Sequence, residues 1–201
     1  MIKRYGLLFV GIIAGFAIFA LGWYFLSGDY EYQGSLIDPP VPAADFALID
    51  QNGNPYRLRS RNGNIILIFF GYTNCPDVCP VTLSEFKNIK KTLGEKSAGI
   101  DYVFITVDPE RDSQESLRKY LSRFDPDFIG LSEDRSVLEQ VWADYGVYQE
   151  QKETGSAIGY LVDHTSRTYV IDSEGNWKLT YPFGIESKKI IQDLNHMLQE
   201  N

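Results

Sequence analysis

Ile65-Ile66-Leu67-Ile68-Phe69-Phe70-Gly71-Tyr72-Thr73-Asn74-Cys75-Pro76-Asp77-Val78-Cys79-Pro80 decides the reading of this chain. The first six residues are apolar, mostly β-branched or aromatic, and Gly71 closes them, which is the pattern of a short buried strand. Downstream, Leu83, Phe86, Ile89, Lys90 and Leu93 keep helical spacing until Gly94. A strand therefore delivers the chain into a helix across a turn that carries both cysteines, Cys75 and Cys79. An i, i+4 spacing puts them on one face, with Cβ atoms roughly 5–6 Å apart if the turn is helical. A disulfide wants about 3.5–4.5 Å, so oxidation would distort this turn, whereas two thiolates on one metal at about 2.3 Å suit it. A helix N-terminus also lowers a thiol pKa, and metal binding and redox chemistry both use the thiolate. Pro76 and Pro80 stiffen the turn, and Asp77 supplies negative charge at the helix start.

Outward from this turn, strands and helices alternate. Phe46–Asp50 and Tyr56–Arg59 read as a hairpin around Asn52-Gly53. Asp101–Val107 is a second buried strand, stopped by Asp108-Pro109. Asp112 with Glu115 resembles a capping box that opens a helix through Leu117, Tyr120, Leu121 and Phe124. Phe128–Leu131 is a short strand, and Ser132 caps a helix carrying Val137, Leu138, Val141, Trp142 and Tyr145. Gln149–Ser156 reads as a polar loop leading to the strand Tyr160–Val162. Arg167–Asp172 and Trp177–Tyr181 form a hairpin, and a last helix from about Glu186 to Gln199 buries Ile190, Ile191, Leu194 and Leu198. This order predicts an α/β sandwich with its thiols at the end of a buried strand.

The 201 residues, 44% of them hydrophobic, suit one domain with an appendage. The appendage is Tyr5–Leu26, 22 residues without a charge. As a helix it would measure about 33 Å, enough to cross a bilayer. Trp23 and Tyr24 suit the far interface and Tyr5 the near one. Lys3 and Arg4 precede the span and no basic residue follows until Arg57, which puts the tail inside and the domain outside. Residues 1–26 are thus read as a transmembrane anchor with a short inner tail, and 27–44, rich in Gly and Pro, as a tether. Residues 45–201 form the domain. With 19 basic against 27 acidic side chains, the net charge of −8 argues against a nucleic-acid partner. Outside the cytoplasm two cysteines would ordinarily form a structural disulfide. A bridge closing so short a loop removes little chain entropy, which favours a functional pair.

Three motifs in order, Thr73-x-Cys75-Pro76-Asp77-Val78-Cys79-Pro80, Val107-Asp108-Pro109-Glu110-Arg111-Asp112 and Val162-Asp163-His164-Thr165, resemble the Sco/SenC family of membrane-anchored copper proteins. The resemblance runs from about Pro42 to the C-terminus. It departs mildly at Ser132-Glu133, where the family often has Thr-Gly. It implies a thioredoxin-like fold, with the Phe128–Tyr145 strand and helix as an insertion and the first hairpin at the N-terminus. It also implies one copper per chain, as Cu(I) or Cu(II), held by Cys75, Cys79 and His164.

Two thiolates and an imidazole favour copper or zinc over hard cations. Closed zinc sites want a fourth ligand, and His196, on the far side of the terminal helix, does not supply one. Asp108 fits two readings, a turn aspartate and a carboxylate bonded near the ligands, and Asp163 is a candidate to orient the imidazole. The function implied is that of a metallochaperone delivering copper to the Cu-A centre in subunit II of cytochrome c oxidase, directly or with its assembly factors. On this reading a bilayer is expected to hold residues 5–26, in a bacterial plasma membrane with the domain on the outer face. The rival reading is a thiol–disulfide oxidoreductase that reduces the Cu-A cysteines with Cys75 and Cys79 as its redox pair. Peroxidase chemistry does not fit, because Tyr72 stands where a peroxiredoxin has Thr.

Overall fold

The computed structural model describes residues 11–19, 21–22, 30–156 and 159–200, and the chain divides into two compact units, Met1–Tyr32 and Gln33–Asn201. In the first, residues 11–19 and 21–22 are helical. Ile12, Phe16 and Ile18 are exposed on it. Among the described residues no helix is long and apolar enough to cross a membrane. Half of the expected span lies outside them, since Tyr5–Val10, Ala20 and Trp23–Leu26 are not described.

The second unit is a thioredoxin-like α/β sandwich. Its centre is strand β4 (Ile65–Gly71) beside strand β5 (Ile100–Thr106), parallel and in register from Ile65 opposite Ile100 to Gly71 opposite Thr106. Every residue of both strands is buried. Unbroken apolar runs, rather than alternating ones, are what a strand covered on both faces needs. Around them stand β1 (Ser35–Pro42), β2 (Ala47–Asp50), β3 (Pro55–Arg57), β6 (Ile129–Ser132), β9 (Arg167–Ile171) and β10 (Asn176–Pro182). The sheet runs β1-β10-β9-β4-β5-β6-β2-β3. Helix α1 (Val78–Leu93) buries Cys79, Thr82, Leu83, Phe86, Ile89 and Leu93 along one stripe, which confirms the helical spacing read from the sequence. Helix α2 (Gln114–Leu121) lies against β6. It comes so close that a Cβ on Gly130 would sit 2.5 Å from Leu121 Cδ1. Helix α3 is Arg135–Asp144, and α4 (Ser187–Glu200) packs on α1.

Several expectations need correcting. Ser35–Pro42, inside the stretch read as tether, is strand β1 and pairs antiparallel with β10. Its prolines lack N–H groups, which an edge strand tolerates. Just ahead of it, the buried carboxylate of Asp193 accepts the N–H groups of Gln33 and Gly34 at 3.0 Å and the Tyr181 hydroxyl at 2.8 Å. Gln149–Ser156 is not a loop but strand β7, which pairs with β8 (Gly159–His164) in a separate two-stranded sheet. The described side chains of β7 are exposed or half-exposed, so no apolar alternation announced it. Asp112 does not cap α2. Ser113 does, its hydroxyl accepting the Ser116 N–H at 3.2 Å. Ser132 ends β6, and Asp134 is the residue at the start of α3. The inward face of α4 is turned slightly from the expected one, with Ile190, Asp193, Leu194 and Met197 buried.

Candidate metal centre

Strand β4 ends at Gly71, and its neighbours leave no room for a side chain there. A Cβ on Gly71 would meet Cys79 Sγ and Phe104 at 2.8 Å and Phe69 at 2.9 Å. The chain then turns, with Cys75 N–H bonded to Tyr72 O at 3.2 Å, and enters α1 at Val78. Cys75 thus precedes the helix rather than sharing a helical face with Cys79. Asp77, at the N-cap, makes no capping bond with its side chain. The Cys75 sulfur takes that place, accepting the Cys79 N–H at 3.4 Å. A helix start leaves N–H groups without intrahelical partners, and here one of them faces a thiolate.

The two cysteines are free and differ in environment. Cys75 is half-buried and Cys79 fully buried. The hydrogen bond from the Cys79 side chain, joined by those from the backbone at Cys79 and Asp77, outweighs burial and brings the Cys75 thiol down to about 4. Burial, added to the hydrogen bond and charge of Cys75, pushes the Cys79 thiol up. The metal-free pair therefore consists of a thiolate at the surface and a protonated thiol beneath it.

His164 closes strand β8. Its Nδ1 lies 3.1 Å from the Thr165 carbonyl, which can only accept, so Nδ1 carries the proton and Nε2 offers a lone pair. Nε2 stands 3.7 Å from Cys79 Sγ. The ring is set edge-on between Phe69 and Tyr72, with centroids 6.0 and 5.9 Å away. Cys75 Sγ, Cys79 Sγ and a His164 ring nitrogen lie within 4.8 Å of one another, and among the described residues they are the cluster able to hold a metal ion. Bonds of about 2.3 Å to sulfur and about 2.0 Å to nitrogen, 120° apart, would separate sulfur from nitrogen by about 3.7 Å. The Cys79–His164 spacing already fits a three-coordinate ion.

The carboxylates fall differently from expectation. Asp163 is exposed on the outward face of β8, opposite His164, and does not orient the imidazole; the Thr165 carbonyl does. Asp108 is fully buried, and its oxygens go to Arg111 and the Tyr160 hydroxyl rather than to a candidate ligand. Asp112 carries more of the site than capping suggested. It accepts Thr73 N–H at 3.1 Å, Thr73 Oγ1 at 2.6 Å and Thr106 Oγ1 at 2.7 Å, pinning the start of the cysteine turn to β5. Burial raises its pKa. Its neighbour Ser113 competes for the capping role in the sequence, and only the fold separates the two. His196 pairs with Glu200 on α4, outside this cluster.

A family model described as SCO1/SenC matches residues 37–199. Among curated relatives, the SCO2-like protein RP587 of Rickettsia prowazekii is 37% identical over 148 residues, 73% of this chain and 72% of that one. The human mitochondrial SCO1 homologue is 33% identical over 155 residues, 76% of this chain and 51% of that one. Among solved structures, copper-bound ScoI of Bradyrhizobium japonicum superposes with a TM-score of 0.72 at 36% identity, covering 78% of this chain and 99% of that one. Apo Sco1 of Thermus thermophilus gives a TM-score of 0.75 at 33% identity, over 85% and 99% of the two chains.

Proposed function

Because the chain belongs to the SCO1/SenC family, we propose that it is a copper metallochaperone for cytochrome c oxidase, held at a bilayer by Tyr5–Leu26 and delivering copper to the Cu-A centre of subunit II. Copper is the cargo, and Cys75, Cys79 and His164 are its ligands. The observation that carries the reading is the preset spacing of 3.7 Å between Cys79 Sγ and His164 Nε2 beside a half-exposed Cys75 thiolate. Soft sulfur donors with one imidazole favour Cu(I), and the same set also accommodates Cu(II). A three-coordinate ion leaves a side open to an incoming thiolate from the recipient. Cys75 stands at that side, so exchange starts there, while buried Cys79 holds the ion until the recipient has engaged it. Binding of the ion displaces the Cys79 proton, which ties loading to pH.

The test is copper titration of the reduced protein beside His164→Ala and Cys75→Ala variants. Binding of one equivalent, weakened in the first variant and abolished in the second, supports the proposal. A wild-type protein that takes up no copper, or an oxidase that matures normally with Cys75→Ala, rejects it.

The Cys75 thiolate favours a second reading. It could attack a partner disulfide, Cys79 would then displace the partner, and a Cys75–Cys79 disulfide would form as the partner dithiol is released. That chemistry needs no imidazole, so full activity of His164→Ala in maturing the oxidase selects it.

A further inference from the structure

The β7–β8 hairpin is not hydrogen-bonded to the main sheet, yet it carries one of the three proposed ligands. Something other than a strand ladder must set its position. Successive residues of a strand point to opposite faces, so Tyr160, Val162 and His164 share the inward face of β8. Two polar attachments meet that face ahead of His164. The Val162 N–H donates to the Tyr72 hydroxyl at 3.2 Å. At Tyr160 the grip is tighter. Its hydroxyl donates to Asp108 at 2.7 Å, its carbonyl accepts Arg111 Nη1 at 2.8 Å, and its ring lies 3.6 Å beneath the Arg111 guanidinium. Arg111 is itself held by the ion pair from its Nε to the fully buried Asp108, and its guanidinium stands 5.7 Å from the centre of the Tyr72 ring. One arginine thereby spans the end of β5, the cysteine turn and β8.

We infer that Arg111, clasped by Asp108 and stacked on Tyr160, is the positioning residue that makes His164 the third copper ligand, by fixing the height and tilt of β8 over the cysteine pair. The leverage is geometric. Four residues of strand put His164 about 13 Å beyond the clasp, and a tilt of about 10° there would carry its ring about 2 Å from the sulfurs. A flexible ammonium could keep the charge but not the planar fork, which bonds Asp108 and the Tyr160 carbonyl while covering the Tyr160 ring. Arg111 Nη2 is buried without a hydrogen-bond partner. The guanidinium is therefore kept in place by the bonds of Nε and Nη1 and by stacking, and loss of either bond leaves it poorly anchored.

The inference rests on the copper reading above, and the experiment separates the two. Amide hydrogen exchange is followed in the reduced, metal-free full chain for wild type, Arg111→Lys and Tyr160→Phe. The copper(II) adducts of the same proteins are then compared by electron paramagnetic resonance and by competition for Cu(I). In Arg111→Lys, the amides of residues 160–164 exchange faster while those of β4 and β5 keep their wild-type rates. The imidazole nitrogen coupling weakens, and Cu(I) affinity falls about 10–100-fold, towards that of His164→Ala. Tyr160→Phe shows the same pattern to a smaller degree. Unchanged exchange at 160–164 with undiminished nitrogen coupling in a folded Arg111→Lys protein overturns the inference. If that variant does not fold, Tyr160→Phe, which removes one hydroxyl, decides by the same two readouts. A wild-type chain that binds no copper counts against the metallochaperone reading, and the clasp is then judged on exchange alone.

Discussion

Strands β4 and β8 supply the two halves of one site and are built in opposite ways. All seven residues of β4 are buried, and it is paired with β5 on one side and β9 on the other. Strand β8 pairs with β7 alone, and its outward residues meet solvent. Local opening free energies follow burial and hydrogen bonding, so the strand that leads into the cysteine turn opens only with the whole fold while the histidine half can open by itself. The sulfur pair inherits its geometry from the core. The proposed nitrogen ligand, His164, rests on a small set of polar contacts, and its placement can be lost without unfolding the protein.

The largest expected effect is in the core. Phe70→Ala, at a fully buried site, should cost about 3–5 kcal/mol in urea denaturation and weaken every probe of the fold together. Loss confined to the metal site would contradict the picture of a shared core. Next comes Gly71→Ala, whose methyl would displace the Cys79 sulfur or the Phe104 ring. We expect a cost of about 1–3 kcal/mol together with weakened copper binding, read by the same denaturation and by titration. Asp112→Ala leaves the Thr73 amide and two hydroxyls without their acceptor, for about 1–3 kcal/mol. Its effect on Cu(I) affinity should exceed that of Asp163→Ala, which touches only the outward face.

The pH dependence sharpens the contrast between the two thiols. Absorbance of the thiolate in the reduced, metal-free protein should lose its Cys75 component near pH 4, with no second thiolate appearing until strongly alkaline pH. The Cys75 pKa is depressed in the folded state. Its contribution to stability is therefore complete above the unfolded thiol pKa of about 8.5 and is lost as pH falls towards about 4. The stability difference between wild type and Cys75→Ser should accordingly grow as pH rises through that window, and a flat difference would refute the assignment. The smallest effect is expected on the hairpin surface. Gln151→Ala on exposed β7 should change global stability by no more than about 0.5 kcal/mol.

The parts of the molecule most readable in the sequence were those whose residues carry a burial signal. Ile65–Phe70 and Asp101–Thr106 announce themselves as strands because both faces are covered, and Leu83, Phe86, Ile89 and Leu93 announce α1 because one face is. Strand β7 gives no such signal, since backbone pairing with β8 holds it, and β1 is masked by its prolines. At the candidate site, the grouping of Cys75, Cys79 and His164 was legible, the cysteines from their spacing and position and His164 from its motif. The alternation of side chains along β8 would have separated His164 from Asp163 had the strand been extended to its true end. The work of Asp112 and Arg111 was not legible. Both sit in Val107–Asp112, whose local pattern is that of a turn and a cap, and their partners Thr73, Tyr72 and Tyr160 lie elsewhere in the chain.

The order of the main sheet also bears on how the protein tolerates crowding. Its two free borders are β1 and β3. Pro39, Pro40 and Pro42 deprive β1 of three of its eight N–H donors, and β3 is three residues long and begins with Pro55. A strand from a second molecule finds no continuous ladder to extend on either border. Copies that collide at high concentration thus lack a strand edge through which to pair.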